Sequence, residues 1–439
     1  MRKLFLQHTV LTLILIFGPL LGQNYITLPT LIDTAIVVGN KHTKSHIILR
    51  EIPFTLPDTL DKEDLLQIKN RIQNLYLFNR VELQLARQEE KTILIISVTE
   101  TWYFFPLPIL FINERDWGKI SYGMQFIHFN FRGQNEKLRI GGWLGYNPSF
   151  FLEYLNPWIG NKKRIIVGVS LFYNLIANKI FDFDEQRAGI NLLLGRQITL
   201  KFKTEIEFEL QSIRLPRLYQ QYSVSKTGHD IVPSFSFHLR YDDRDLYEYP
   251  RKGFYIDYLL KRTGFRNNQP RFWRFIFDNR FYHPVYKEIS LAIRNLLYIQ
   301  SGNLPIYDRM YLGFYERIRG YFNRVFPPTS DFRYFVAPEI SLSSLEIRFP
   351  ILPIRYFSYE GIPMLSTFSR DLKFGLSAGI FVDSGIAWQK SSEFSLKNHF
   401  TGFGVGLHIH FPYINVLRLD YAWNDQGHRE FIVDIGVAF

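Results

Sequence analysis

Two periodicities divide the chain. From residue 102 onward, apolar residues recur at every second position. Phe403, Val405, Leu407, Ile409 and Phe411 alternate with Gly404, Gly406, His408 and His410. Leu417, Leu419, Tyr421 and Trp423 alternate with Arg418, Asp420 and Ala422, and Phe431, Val433, Ile435, Val437 and Phe439 with Ile432, Asp434 and Gly436. Leu376, Ala378, Ile380 and Val382 are set against Ser377, Gly379, Phe381 and Asp383, while Leu345, Ile347 and Phe349 flank Glu346 and Arg348. This is the spacing of strands with one apolar face and one face of charges, glycines and imidazoles. Residues 102–439 hold sixteen such segments, weakest in pattern between 104 and 240, at about 21 residues per strand and connection.

Residues 34–101 follow a different rhythm. Ala35–Asn40 predicts a strand ending in a Gly-Asn turn. Thr43 is a candidate cap for a helix over 44–51, stopped by Pro53, and Asp61 for a second helix with Leu65, Ile68, Ile72 and Leu75 on one stripe. Two strands, Val81–Leu85 and Thr92–Val98, are joined by the polar stretch 88–91. The expected order is β-α-α-β-β, a small α+β domain.

At the N-terminus, Arg2 and Lys3 precede the apolar run Val10–Phe17, then Gly18-Pro19 and Gly22. That predicts a secretory signal over 1–22, followed by a linker over 23–33. The run is far short of the ~20 residues of a spanning helix, and no other run approaches that length. A chain that enters a membrane here must do so as strands. Aromatic residues make up 17% of the chain, and they crowd strand ends (Trp102–Phe105, Trp388, Trp423), as at membrane interfaces. A soluble sandwich also alternates, with its polar face to water. Secretion, hairpin spacing and aromatic strand ends favour the inverted case, apolar toward lipid and polar toward a lumen. Backbone groups in lipid must pair internally, so the strands are expected to close on themselves. The fold class expected is mostly β: a 16-stranded antiparallel transmembrane barrel over 102–439, behind a small α+β domain.

The net charge of +11 comes from Lys and Arg spread along the chain rather than clustered, which argues against nucleic acid. With no cysteine, thiolate metal sites, disulfides and a Cys nucleophile are excluded. His408 and His410 share a face with no third ligand at recognisable spacing, so they are expected to be lumen histidines. There is no G-x-S-x-G, P-loop or H-E-x-x-H, and neither an enzyme nor a cofactor is expected.

Several motifs carry a family resemblance. Val38-Gly39-Asn40, Leu77–Val81 and Val98-Thr99-Glu100 make residues 34–101 similar to a polypeptide-transport-associated (POTRA) domain. A long connection, 301–341, contains Ile318-Arg319-Gly320-Tyr321, which resembles the V-R-G-F/Y signature of the BamA/TamA outer-membrane assembly superfamily. Glu346–Pro350 is similar to that family's E-x-R-x-P strand, Phe381–Gly385 with Trp388 to its F-x-D-x-G strand, and Asp242–Asp245 with Pro250–Gly253 to its D-x-R-D…P-x-x-G turn. The chain ends in Phe439, an aromatic terminus similar to the assembly signal of outer-membrane barrels, with Val437 two residues before it. One departure is Asp434, where the family pattern has glycine.

The resemblance implies a loop folded back into the lumen, with Arg319 meeting Asp383 and Glu346 close by. By parity both carboxylates point inward, where a guanidinium fork can bind them. Gly320 would permit close approach to the wall, and Tyr321 would anchor it. The resemblance also implies a protein of the bacterial outer membrane, with its POTRA-like domain in the periplasm. Its partners would be outer-membrane lipid, client outer-membrane or secreted polypeptides and periplasmic or lipoprotein accessory subunits, and its activity insertion or translocation through a first–last strand seam. The first strand, near 104–113, is expected to close against the last, weakened by Pro106 and Pro108. A noncatalytic barrel that anchors partner proteins is the competing class. A passive pore is disfavoured because the Arg319 loop would obstruct it.

Overall fold

The computed structural model of the chain describes residues 27–113, 117–160, 163–177, 183–312, 318–321, 336–359, 369–413 and 415–439. The expected signal segment 1–22, the first part of the 23–33 linker, and residues 313–317 and 322–335 of the long connection lie outside the described residues.

The N-terminal domain runs β1 (Thr30–Ile32), β2 (Thr34–Val38), α1 (Ser45–Leu49), β3 (Asp58–Leu60), α2 (Lys62–Gln73), β4 (Phe78–Gln88) and β5 (Lys91–Glu100). Its main sheet has the order β2-β5-β4, with β2 parallel and β4 antiparallel to β5. Ile47 and Ile48 of α1 and Ile68 and Ile72 of α2 pack on Val81, Leu94 and Ile96. The β1–β3 pair was not expected, because strands of three residues are too short to show a period.

Asp61 caps α2 as its sequence suggests. Its carboxylate accepts from Glu63 N at 2.8 Å and Asp64 N at 2.9 Å, and Asp64 returns a bond to Asp61 N at 3.0 Å. Thr43 does not cap α1. Lys44 is the N-cap, without a side-chain bond. The Thr43 hydroxyl is turned instead to Tyr103 Oη (2.9 Å) and accepts from Asn130 Nδ2 (2.9 Å), groups of the barrel side that compete for it. Gly39 has φ +90°, and a Cβ there would lie 2.1 Å from Val98 O, which explains the glycine between two paired strands.

The barrel strands are β6 (Phe104–Ile112), β7 (Ile120–Phe131), β8 (Glu136–Gly145), β9 (Ser149–Ile159), β10 (Ile165–Ala177), β11 (Asp184–Gln197), β12 (Phe202–Arg214), β13 (His229–Asp242), β14 (Gly253–Thr263), β15 (Arg271–Tyr286) and β16 (Ile289–Asn303). Within the long connection β17 (Met310–Tyr311) pairs with β18 (Val336–Ala337). The set ends with β19 (Glu339–Phe357), β20 (Leu372–Trp388), β21 (Phe400–Phe411), β22 (Asn415–Asn424) and β23 (Arg429–Ile435). Sixteen strands form one antiparallel sheet in chain order, with β6 and β23 at its two edges.

Alternation separates the two faces as expected. Leu192, Leu194, Phe208, Ile380, Val405 and Val433 are exposed on the outside, while Asp278, Glu346, Arg348, Asp383 and Asp420 are buried within. One lateral row departs from this rule. Asn279, Asn295, Ser343, Ser384 and Thr401 face each other in register across five strands on the outer face. Ser343 Oγ donates to Asn295 Oδ1 at 2.9 Å.

The N-terminal domain lies across one mouth of the barrel, bonded to the strand connections there. Lys44 N donates to Gly133 O (3.0 Å), Arg71 Nη1 to Leu200 O (3.2 Å) and Asn74 Nδ2 to Asp245 O (3.1 Å). The Arg50 guanidinium lies 4.6 Å over Trp158, and Arg80 pairs with Asp371 at 3.1 Å. These contacts reach from β7 round to β20, so the domain spans the near mouth rather than hanging from one side.

Candidate functional site: the lumen loop and the strand seam

Inside the barrel the long connection is tied to two walls. At its start, Tyr307 Oη donates to Asp230 Oδ2 of β13 (2.6 Å), and its ring joins Phe183, Ile213 and Val232. At residues 318–321 it reaches the wall of β19–β23. A bulky polar loop stays seated in a lumen only if each buried donor finds an acceptor, and here the backbone and side chains are both matched.

Arg319 is 3% exposed. Its Nε and Nη2 make a two-pronged bond to Asp383, at 2.7 and 3.0 Å. Nη1 reaches Glu346 at 2.7 Å and Asp420 at 3.3 Å, and Arg319 N donates to Asp383 Oδ2 at 3.2 Å. The guanidinium carbon lies 3.4 Å from the Phe381 ring centroid, so the aromatic of the F-x-D-x-G strand forms the floor under the fork. Glu346 also accepts from Arg348 Nε at 2.6 Å, and Arg418 Nε lies 3.0 Å from Asp420. Three buried guanidinium groups thus face three buried carboxylates.

Close approach depends on glycine. Gly320 has φ +97°, donates to Glu430 Oε2 (3.0 Å), and its carbonyl accepts from Asn424 Nδ2 (3.0 Å). A Cβ on Gly402 of the wall would sit 1.7 Å from Arg319 O. Ile318 packs with Leu342, Ala387 and Phe400, close to Gly385, and Tyr321 donates to Asp425 and stacks edge-on with Phe400 at 5.3 Å. The structure therefore brings Ile318, Arg319, Gly320 and Tyr321 together with Glu346, Phe381, Asp383 and Gly385. Sequence reasoning did not assign Asp420, Asn424, Asp425, Glu430 or Gly402 to the loop. Parity puts Asp420 inward, but nothing in the sequence says which inward group meets the loop.

The two lumen histidines belong to a neighbouring network. The near-mouth turn 243–252 sends Tyr249 inward, where its hydroxyl lies 2.8 Å from His408 Nδ1 and its ring 4.8 Å from His410. His410 Nε2 lies 3.0 Å from Ser377 Oγ.

The terminal segment departs from expectation. The last strand ends at Ile435, not at Phe439, because Gly436 takes φ +91° and turns the chain off the sheet edge. Phe439 is 2% exposed against Tyr282 and Ala292, with the Arg348 guanidinium 5.4 Å from its ring, and Val437 is half-buried beyond the strand. Among the described residues the sheet carries no ladder between β6 and β23. The sheet nevertheless curls until Phe105 of β6 meets Tyr413, in the turn between β21 and β22, at 5.9 Å.

Comparison with known proteins agrees with this architecture. Residues 130–439 match the Omp85 superfamily domain, and residues 31–101 match the surface antigen variable number repeat, a POTRA domain. Among solved structures the fold is similar to CdiB from Escherichia coli (14% identity, 93% of this chain and 75% of that one, TM-score 0.56). It is also similar to BamA from Haemophilus ducreyi lacking POTRA domains 1–3 (15%, 92% and 83%, 0.53) and to CdiB from Acinetobacter baumannii (14%, 92% and 72%, 0.51). No curated protein matches the sequence. With the domain match covering well over half of its length, the chain belongs to the Omp85 superfamily, as an outer-membrane β-barrel protein preceded by a POTRA domain.

Proposed function

We propose that the protein inserts barrel proteins into the outer membrane, or passes a polypeptide across it, by parting the β6–β23 seam. The observation that carries this reading is the hydrogen-bonding capacity of the free β6 edge. Tyr103 O accepts from Phe129 N, and Asn113 N donates to Lys119 O, so odd-numbered residues of this stretch bond to β7. Even-numbered residues therefore aim their backbone at the seam, and Pro106 and Pro108 are two of them, without an N–H to give. At the other edge, Gly436 N bonds to Val416 O, which turns the even-numbered residues of β23 toward β22. The backbone groups of Phe431, Val433 and Ile435 are left on the seam.

A seam short of donors costs little to open, and an open seam is a strand template that an extended client can extend. The exchange replaces one set of backbone bonds by another, so no nucleotide is required. The loop held by Arg319 and Tyr307 obstructs the lumen, which argues against a diffusion pore. Depletion of the protein followed by quantification of outer-membrane proteins tests the reading. Loss of many barrel proteins is the expected result for an inserter, and loss of one exported polypeptide for a translocase. A change confined to small-solute permeability, or only the release of a bound partner from the membrane, would overturn it.

A further inference from the structure

Two asparagines stand on the outer wall where the strands around them are apolar. Asn279 of β15 lies in register with Asn295 of β16. On the same face they are followed toward the near mouth by Phe281 and Ile293, and toward the far end by Phe277 and Leu297, with Phe275 and Ile299 beyond. The pair therefore sits inside the apolar belt and not at either rim. Tyr258 Oη donates to Asn279 Oδ1 at 3.0 Å, and Ser343 Oγ to Asn295 Oδ1 at 2.9 Å. Both bonds use the carbonyl side of the amide. Neither Nδ2 group has a hydrogen-bond partner among the described residues. Acyl chains offer no acceptor, so an amide donor that faces them keeps its full desolvation penalty.

A second copy of the chain supplies what these amides lack. An amide is donor and acceptor at once, so a pair of asparagines is complementary to itself. A two-fold contact sets residue i of one copy against residue j of the other, and j against i. With the axis between β15 and β16, Asn279 of each copy meets Asn295 of the other. The row Asn279, Asn295, Ser343, Ser384 and Thr401 carries no charge, so two copies of a chain with net charge +11 approach there without like charges meeting. Size is adequate too. Four neighbouring strands, β14, β15, β16 and β19, span ~19 Å at ~4.8 Å each, and the apolar band of such barrels is ~25 Å tall. Two such faces bury about 950 Å² in all, close to the ~1,000 Å² of a specific interface. Beside the pair, Phe277, Leu297, Trp388 and Phe394 bound a hollow of about 610 Å³, which lets a second wall seat on an otherwise convex surface. We infer that two copies of the protein pair side by side in the membrane through Asn279 and Asn295. β15 and β16 lie near the middle of the sheet, so this pairing leaves both seam edges free and stands apart from the proposed function.

The chain has no cysteine, so a single introduced thiol reports on its own surroundings. Leu297→Cys places one next to Asn295 on the outer face while keeping both amides. Leu194→Cys places one at an exposed outer position of β11, away from the row. Isolated outer membranes containing the full chain are treated with a short bismaleimide, and the products are separated by mass. Leu297→Cys is expected to give a covalent dimer at a yield at least tenfold above Leu194→Cys. Adding Asn279→Leu and Asn295→Leu to Leu297→Cys is expected to bring that yield down to the Leu194→Cys background. Leucine suits a lipid-facing position, so the triple variant keeps the barrel, checked by heat-modifiable migration. Absence of a dimer from Leu297→Cys, an equal yield from Leu194→Cys, or a dimer that survives loss of both asparagines would overturn the inference. So would a cross-linked product that contains a different protein, since another chain would then occupy the row.

Discussion

Phe105, on the inner face of the first barrel strand, and Tyr413, in the turn between β21 and β22, meet edge to face at 5.9 Å across the foot of the seam. Aromatic pairs of this kind are worth about 0.5–1.5 kcal/mol beyond the area they bury. A fully paired strand edge would supply several backbone hydrogen bonds of ~1 kcal/mol each. The ring contact at the near end of the seam is therefore weaker than a fully paired strand edge would be. The same two rings line the cavity between the POTRA domain and the barrel.

The Arg319 fork is expected to be essential without being a stability element alone. Truncating one member of a buried pair leaves the other charge uncompensated, at about 3–5 kcal/mol. Arg319→Ala leaves Asp383, Glu346 and Asp420 short of one shared cation, and Asp383→Ala removes two of the guanidinium's bonds. Both variants should fail in a complementation assay while still migrating as folded, heat-modifiable barrels in the membrane fraction. Arg319→Lys should not rescue, since an ammonium cannot reproduce the two-pronged bond to Asp383. Normal growth supported by the alanine variants would refute the requirement for the clamp.

Gly402→Ala should reproduce the Arg319 defect although it changes no charge. Its Cβ would lie 1.7 Å from Arg319 O, so the loop must lift from the wall and the fork must leave Asp383. Protease access to the loop, compared with the wild type in intact outer membranes, measures this directly. Greater cleavage together with loss of complementation is expected. Unchanged cleavage would show that the loop is seated by contacts other than this close approach.

How much of this was legible in the sequence differs by region for physical reasons. Period two displayed β19–β23 clearly, because each has an apolar outside and a charged or glycine-rich inside. β6 hid its parity, since Phe105, Leu107, Ile109 and Phe111 make its inner face apolar as well. Asp61 was readable as a cap because capping is local, while Thr43 was not, because Tyr103 and Asn130 compete for its hydroxyl from 60 and 87 residues away. Arg319 and Asp383 were readable through motif and parity together. Asp420, Glu430 and Gly402 were not, because only the folded path of the loop selects them. The inward turn at Gly436 was equally hidden, since Val437 and Phe439 continue the alternation of β23 in sequence.

The POTRA domain should carry an acid-sensitive joint at Glu100. Burial pushes the pKa of this carboxyl up, but the N–H groups of Thr43 (2.7 Å) and His42 (3.1 Å) outweigh it and hold the group below the usual glutamate range. A depressed folded pKa adds stability above the ordinary glutamate pKa that is lost as the pH falls through the folded value. Charge-assisted bonds of this kind are worth about 1.5–3 kcal/mol. Hydrogen exchange in residues 40–44, referenced to the unfolded chain at each pH, should lose protection on the acid side of the glutamate range. Glu100→Gln should show the weaker protection at every pH and little change across that range. A wild-type profile that stays flat would contradict the assignment.

Restoring donors to the first strand is the sharpest test of the seam. Pro106 and Pro108 pair with Phe126 and Met124 of β7, and their missing N–H groups fall on the free edge by parity with Tyr103 and Asn113. Replacing both by valine keeps an apolar outer face, favours extended backbone and returns two donors, worth about 1 kcal/mol each if β23 accepts them. The double variant should therefore unfold at higher temperature than the wild type and support insertion or export less well. A barrel that is more stable and equally active would mean that the prolines serve only to shape the entry to the strand. A barrel of unchanged stability and activity would mean that β23 does not reach this edge even when donors are present. The two readouts move in opposite directions only if a weak seam is itself what the protein uses.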